Sequence, residues 1–154
     1  YDLRMPSQLV LAAFRILIDV ARDCGYTPDD IVIMEGIATE IAYPLMAYNG
    51  DLVQLFGSNP SGQNLTVFIN GLVNSLLVRC YLAESGYLPK YQARDIISFL
   101  TYGDDIKGSA KQGFNISIKN YAAFLSRFDM KFTMPDKDSE LVDLMCDEDA
   151  DFLK

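Results

Sequence analysis

At 154 residues, half of them hydrophobic, the chain is long enough to bury the core of one domain. It contains no histidine, which excludes Ser-His-Asp and Cys-His nucleophilic schemes and His-ligated zinc, and leaves carboxylates, lysine or a metal for any chemistry. A net charge of −8 argues against nucleic-acid binding by this chain alone, so an RNA partner would need basic surface from elsewhere.

The chain opens at Tyr1 without a Met, so an upstream segment is expected. Pro6 or Ser7 begins a helix whose apolar stripe is Leu9, Val10, Ala13, Phe14, Leu17, Val20 and Ala21. Gly25 stops it. Thr27 caps a second helix, with Pro28 in its first turn and Asp29 and Asp30 at its positive end, running to about Ala42. Tyr43 to Phe56 reads as a hairpin around Asn49-Gly50. Gly57 to Gly62 is a connector rich in turn residues.

A long helix is predicted from Gln63 to Ala83, with Leu65, Phe68, Ile69, Leu72, Val73, Leu76 and Leu77 apolar. Its polar stripe is narrow and neutral: Thr66, Asn70 and Asn74. Such a stripe suits a surface facing a ligand or partner, and equally a face that caps neighbouring backbone. Cys24 and Cys80 fall on apolar helical faces and are expected to be buried; Cys146 lies in an acidic tail. An odd number of widely spaced cysteines fits a reducing compartment better than a disulfide framework.

Ile96 to Thr101 and Ile106 to Ser109 read as two strands around Tyr102-Gly103-Asp104-Asp105. Two adjacent carboxylates at a hairpin tip repel, and both stay ionised when a cation neutralises them. Hard oxygen ligands suit Mg²⁺, which keeps waters and takes substrate phosphates. The plainer reading of Gly-Asp-Asp alone, favoured by composition, is a solvated acidic turn.

Ser117 caps a further helix carrying Ile118, Tyr121, Ala122, Leu125 and Phe128. Met130 to Thr133 reads as a strand ended by Pro135, and Asp136-Lys137-Asp138 as a charged turn. Residues 139 to 150 are acidic, helix or loop, and Phe152-Leu153-Lys154 reads as the start of a strand. No apolar run reaches membrane-spanning length, so no transmembrane segment is expected. The sequons at Asn64 and Asn115 read as coincidental.

Taken in order, Ser61-Gly62, Thr66, Asn70 and Tyr102-Gly103-Asp104-Asp105 resemble the palm of viral RNA-dependent RNA polymerases, most like the picorna-like positive-strand group. Residues Gly57 to Leu82 resemble that family's B motif, and Tyr102 to Asp105 its C motif. Phe128 to Ser139, with Pro135-Asp136-Lys137, resembles the D motif, and Phe152 to Lys154 the opening of the E motif. Tyr1-Asp2 matches the end of the A motif, whose first aspartate would precede Tyr1. Reverse transcriptases share the fold but usually carry a bulkier residue where Gly103 stands.

The resemblance implies an α+β fold, an antiparallel sheet with helices packed on one face, and a single palm-domain fragment over residues 1–154 without fingers and thumb. It implies RNA-templated RNA synthesis in viral genome replication by a two-metal mechanism, with RNA template, primer or product strand and NTPs as partners, although the fragment alone is expected to be inactive. Asp104 and Asp105 would hold Mg²⁺ or Mn²⁺, and Lys137 would protonate pyrophosphate. Asp2, Ser61, Gly62, Thr66 and Asn70 would form the nucleotide and ribose pocket. Glycines 57 and 62 would let the B-motif loop move. The implied location is the host cytoplasm, in viral replication complexes. Two alternatives stand beside this: a reverse transcriptase-like palm, and a non-catalytic acidic α+β domain that binds a protein.

Overall fold

The structure, a computed structural model, describes residues 5–59 and 62–153. The described residues form five helices and two small antiparallel sheets, an α+β fold as expected. They fall into two compact units divided between Val73 and Asn74.

In the first unit, α1 (Ser7–Asp23) buries Val10, Ala13, Phe14, Ile18 and Ala21 at helical spacing. Leu9 and Leu17 are half-buried, and Val20 is exposed, so the apolar stripe is narrower than its sequence suggests. The helix ends in a Schellman motif around Gly25, whose φ is +87°. There the Tyr26 N–H donates to Ala21 O at 3.1 Å and the Gly25 N–H to Arg22 O at 3.0 Å. Cys24 is the C-cap of that helix and is exposed. Cys80, too, is exposed, on the outer face of its helix. The expectation of two buried cysteines is thus corrected: one lies past the last helical turn, the other off the packed stripe.

Helix α2 (Pro28–Ala42) begins with a capping box. The Asp30 N–H donates to Thr27 Oγ1 at 3.3 Å, while the Thr27 N–H donates to Asp30 Oδ2 at 3.0 Å. Arg22 of α1 reaches Glu35 of α2 at 2.7 Å; both side chains are exposed, so the pair contributes at most about 1 kcal/mol. Ile31, Ala38 and Ala42 are buried, but Val32, Ile33 and Ile37 face outward.

Strands β1 (Leu45–Tyr48) and β2 (Asp51–Gln54) pair antiparallel. Asn49 and Gly50 both have positive φ, +50° and +92°, as a type I′ turn requires. All eight strand residues are exposed. Beyond the hairpin, Gly57 lies against the start of the chain: the Ser58 N–H donates to Met5 O at 2.7 Å. A Cβ on Gly57 would stand 2.1 Å from Met5 O. This close approach accounts for the glycine without loop motion, whereas Gly62 has open space around it.

Helix α3 (Thr66–Glu84) starts three residues later than predicted. Residues 62 to 65 form an entry turn in which Gln63 Oε1 accepts from the Leu65 N–H at 3.0 Å. By length and composition α3 suffices to cross a membrane, contrary to the expectation that no segment does. Its Asn70 and Asn74 are buried and hydrogen-bonded to other groups of the fold, as in the core helix of a folded domain.

In the second unit, Tyr81 packs edge-to-face on Tyr121 of α5 (Ile118–Ser126), with ring centroids 5.4 Å apart. Phe124 and Phe132 extend this aromatic cluster. Burial pushes the Tyr121 hydroxyl well above the ordinary phenol range. Ser117 caps α5 as expected, accepting from the Asn120 N–H at 3.1 Å. The helix ends at Ser126, so Phe128 lies beyond it and is exposed. Met130 to Thr133 form no strand, and residues 139 to 153 are turns and loop. Met130 and Met134 are buried and Phe132 half-buried, with Lys131 and Thr133 exposed between them. That is a strand's alternation without a described ladder partner.

Ile96 closes a short helix, α4 (Ala93–Ile96), rather than opening a strand. Strand β3 (Ile97–Tyr102) then pairs antiparallel with β4 (Asp105–Ala110). Burial along β3 alternates, with Ile97, Phe99 and Thr101 on the inner face. Phe99 lies opposite Gly108, where an added Cβ would stand 3.1 Å from the Phe99 Cβ.

Candidate active site

The β3–β4 register puts Tyr102 opposite Asp105, leaving Gly103-Asp104 as the two-residue loop. Gly103 has φ +59°, and Asp104 is not among the residues of positive φ. Glycine at the first central position and an ordinary second residue make a type II′ turn, which follows the twist of the flanking strands. Asp104 therefore lies in the turn itself, and Asp105 is the first residue of β4. Strand alternation does not apply between them.

Both carboxylates are exposed, and neither forms an ion pair among the described residues. The cation sharing Asp105's strand face is Lys107, two residues on. Its ammonium sits 2.7 Å from Asp147. The tip thus keeps its own negative charge. Among the described residues no group of three or more His, Cys, Asp and Glu is placed to hold a metal ion. Two carboxylates suit Mg²⁺, which is commonly bound by one or two carboxylates with waters and substrate phosphates completing the shell.

The turn is held from behind. Asn74 of α3 is 3% exposed, and its Nδ2 donates to the Gly103 carbonyl at 3.0 Å, across 29 residues of sequence. Its place in the polar stripe was legible, but its partner was not. The stripe's backbone-capping reading holds for this residue.

Thr66 and Asn70, with Gly62 before them, lie in the first unit. Asn70 is 4% exposed, and its Oδ1 accepts from Asn59 Nδ2 at 2.7 Å. Asn59 is fully buried, and its own Oδ1 has no hydrogen-bond partner among the described residues. No sequence signal marks this role, because Asn in a Gly-Ser-Asn-Pro loop reads as a turn residue. Asp2 and Ser61 lie outside the described residues.

Lys137 is exposed at φ +67° in the turn after Pro135. Asp136 organises that turn. Its Oδ1 accepts from the Ser139 N–H at 3.0 Å and the Asp138 N–H at 3.3 Å, and its Oδ2 from the Ser139 hydroxyl. The Ser139 hydroxyl, chiefly, holds the Asp136 carboxyl below its ordinary range.

Residues 1–154 match the family described as viral RNA-dependent RNA polymerase. The chain is 30% identical over 142 residues to the genome polyprotein of vesicular exanthema of swine virus, covering 89% of this chain and 7% of that protein. It is 32% identical over 114 residues to the genome polyprotein of turnip mosaic virus (strain Japanese), covering 73% of this chain and 4% of that protein. With the genome polyprotein of deformed wing virus it shares 27% identity over 157 residues, covering 97% of this chain and 5% of that protein. The chain thus spans less than a tenth of each of these relatives. It belongs to the viral RNA-dependent RNA polymerase family.

Proposed function

We propose that residues 1–154 form one palm-domain segment of a polymerase that adds nucleotides to an RNA 3′ end, templated by RNA, in viral genome replication. The supporting observation is the β3–β4 tip, where a glycine turn presents Asp104 and Asp105 to solvent with no ion pair to either among the described residues. These two carboxylates would hold Mg²⁺, or Mn²⁺. In a two-metal mechanism, divalent ions bound there would supply stabilisation of the attacking 3′-oxygen and the leaving pyrophosphate in an in-line displacement.

The other residues act on substrate. Thr66 and Asn70, with Asp2, Ser61 and Gly62, form the ribose pocket. An asparagine amide offers both donor and acceptor to a 2′-hydroxyl, the group that separates RNA from DNA. Lys137 delivers a proton to the departing pyrophosphate oxygen. RNA template, primer strand and NTPs are the partners, in replication complexes of the host cytoplasm.

Fingers and thumb supply the basic surface that this acidic segment lacks. Val32, Ile33 and Ile37 of α2, with Leu45, Tyr48 and Leu52 of the β1–β2 hairpin, are exposed apolar residues suited to meet them. These same residues are what a protein-interaction reading would rest on, and contact with the remaining polymerase subdomains satisfies it.

The test is Asp104→Asn in a full-length polymerase carrying this segment. Nucleotide addition should be abolished while RNA binding persists. Near-wild-type turnover in Mg²⁺ would remove Asp104 from the metal site.

A further inference from the structure

We infer that Asn74 is a positioning residue that sets the direction of Asp104 by locking one peptide plane. The inference rests on the reading of Asp104 as a metal-binding carboxylate.

A two-residue hairpin turn has one weak point. The outer residues are held by the ladder, here by the Tyr102–Asp105 pair. The central peptide, between Gly103 and Asp104, is held by neither strand. Rotating it interconverts types II′ and I′, which differ in whether the second central residue has φ below or above zero. Glycine at 103 accepts either state without steric cost. Aspartate is among the residues that tolerate positive φ. The two-residue turn itself therefore only biases the φ of Asp104 toward negative values, and with it the direction of the Cα–Cβ bond that carries the carboxylate.

A further restraint comes from outside the turn. The atom that moves most in such a rotation is the Gly103 carbonyl oxygen, and this is the atom to which Asn74 Nδ2 donates at 3.0 Å. Gly103 and Asn74 are both buried, so a rotated carbonyl would lose this donor. Asn74 itself is borne on α3, a helix of 19 residues, a rigid mount for the donor. The bond thus deepens the preference of the turn for Asp104 at negative φ, the state in the structure. A carboxylate displaced by about 1 Å would cost on the order of 10²-fold in rate.

The experiment uses the full-length polymerase with Asn74→Leu and Asn74→Ala. Leucine keeps the volume without the donor, and alanine removes both. Single-nucleotide incorporation is measured across a Mg²⁺ titration, Mn²⁺ binding is followed by the resonance of the free ion, and thermal stability is recorded for each variant. If Asn74 positions Asp104, both variants shift the Mg²⁺ midpoint upward to a similar degree and weaken Mn²⁺ binding. kcat at moderate Mg²⁺ then falls about 10²-fold, with KM for NTP little changed. If Asn74 only fills space, the losses follow thermal stability, alanine is worse than leucine, and the Mg²⁺ midpoint stays at the wild-type value; that result overturns the inference. Asp104→Asn, run in parallel, separates the two layers. If it leaves Mg²⁺ dependence intact, the metal reading has failed. If it abolishes activity while the Asn74 variants keep the wild-type midpoint, only the positioning role has failed.

Discussion

Asn59 and Asn70 meet amide to amide in the interior of the first unit, Nδ2 of one on Oδ1 of the other at 2.7 Å. The contact fixes which end of the Asn70 amide is carbonyl and which is NH₂. On the proposed function, Asn70 reads the ribose, and Asn59 settles the orientation from which it reads. Asn70→Ala should reduce use of ribonucleotides more than of 2′-deoxyribonucleotides. The full preference of a site built to bind a hydroxyl reaches roughly 10⁴-fold, because the analogue leaves its polar groups unpaired. Single-nucleotide incorporation with both sugars, at matched salt, gives the ratio. An unchanged ratio beside a general loss of rate would leave Asn70 only a role in the fold.

Lys137 offers a separate test, since it acts on the leaving group rather than the sugar. Lys137→Leu should slow the chemical step by about 10²–10⁴-fold, the range of general acid–base groups. KM for NTP should change far less. A loss confined to KM, with kcat intact, would reduce Lys137 to a surface charge.

The turn that carries Lys137 has a pH signature. Asp136 titrates below its ordinary value of 3.8, chiefly through the Ser139 hydroxyl. A lowered folded pKa stabilises the turn fully above the ordinary carboxylate range, and that contribution is lost as pH falls through the folded value. Asp136 is exposed, so the effect is local and screened. Ser139→Ala should move the Asp136 carboxyl carbon titration, followed by NMR, upward toward 3.8. No movement would mean that the backbone N–H groups hold the carboxylate without the hydroxyl.

The elements that were legible share one property: their signals are local. Gly25, Thr27, Asn49-Gly50, Gly103-Asp104 and Ser117 each determine a cap or turn within a few residues. The failures are non-local. Met130 to Thr133 has a strand's alternation, but a strand exists only with a partner, and none is described. Cys80 lies on an apolar sequence, yet which side of α3 is covered depends on what packs there. The site divides in the same way. Asp104 and Asp105 could be named from a turn signal, whereas Asn59 and Asn74 act through partners 11 and 29 residues away.

The bond from Ser58 to Met5, with Gly57 pressed against the same backbone, has a genetic consequence. Two stretches more than fifty residues apart in sequence share one mechanical element. Substitutions at Met5 or Pro6 and at Gly57 or Ser58 should therefore be epistatic. Once either member has broken the junction, the second has little left to break, and the double variant falls short of the sum of the singles. Variation at Met5 and Pro6 would then be tolerated or not according to what stands in the loop before α3.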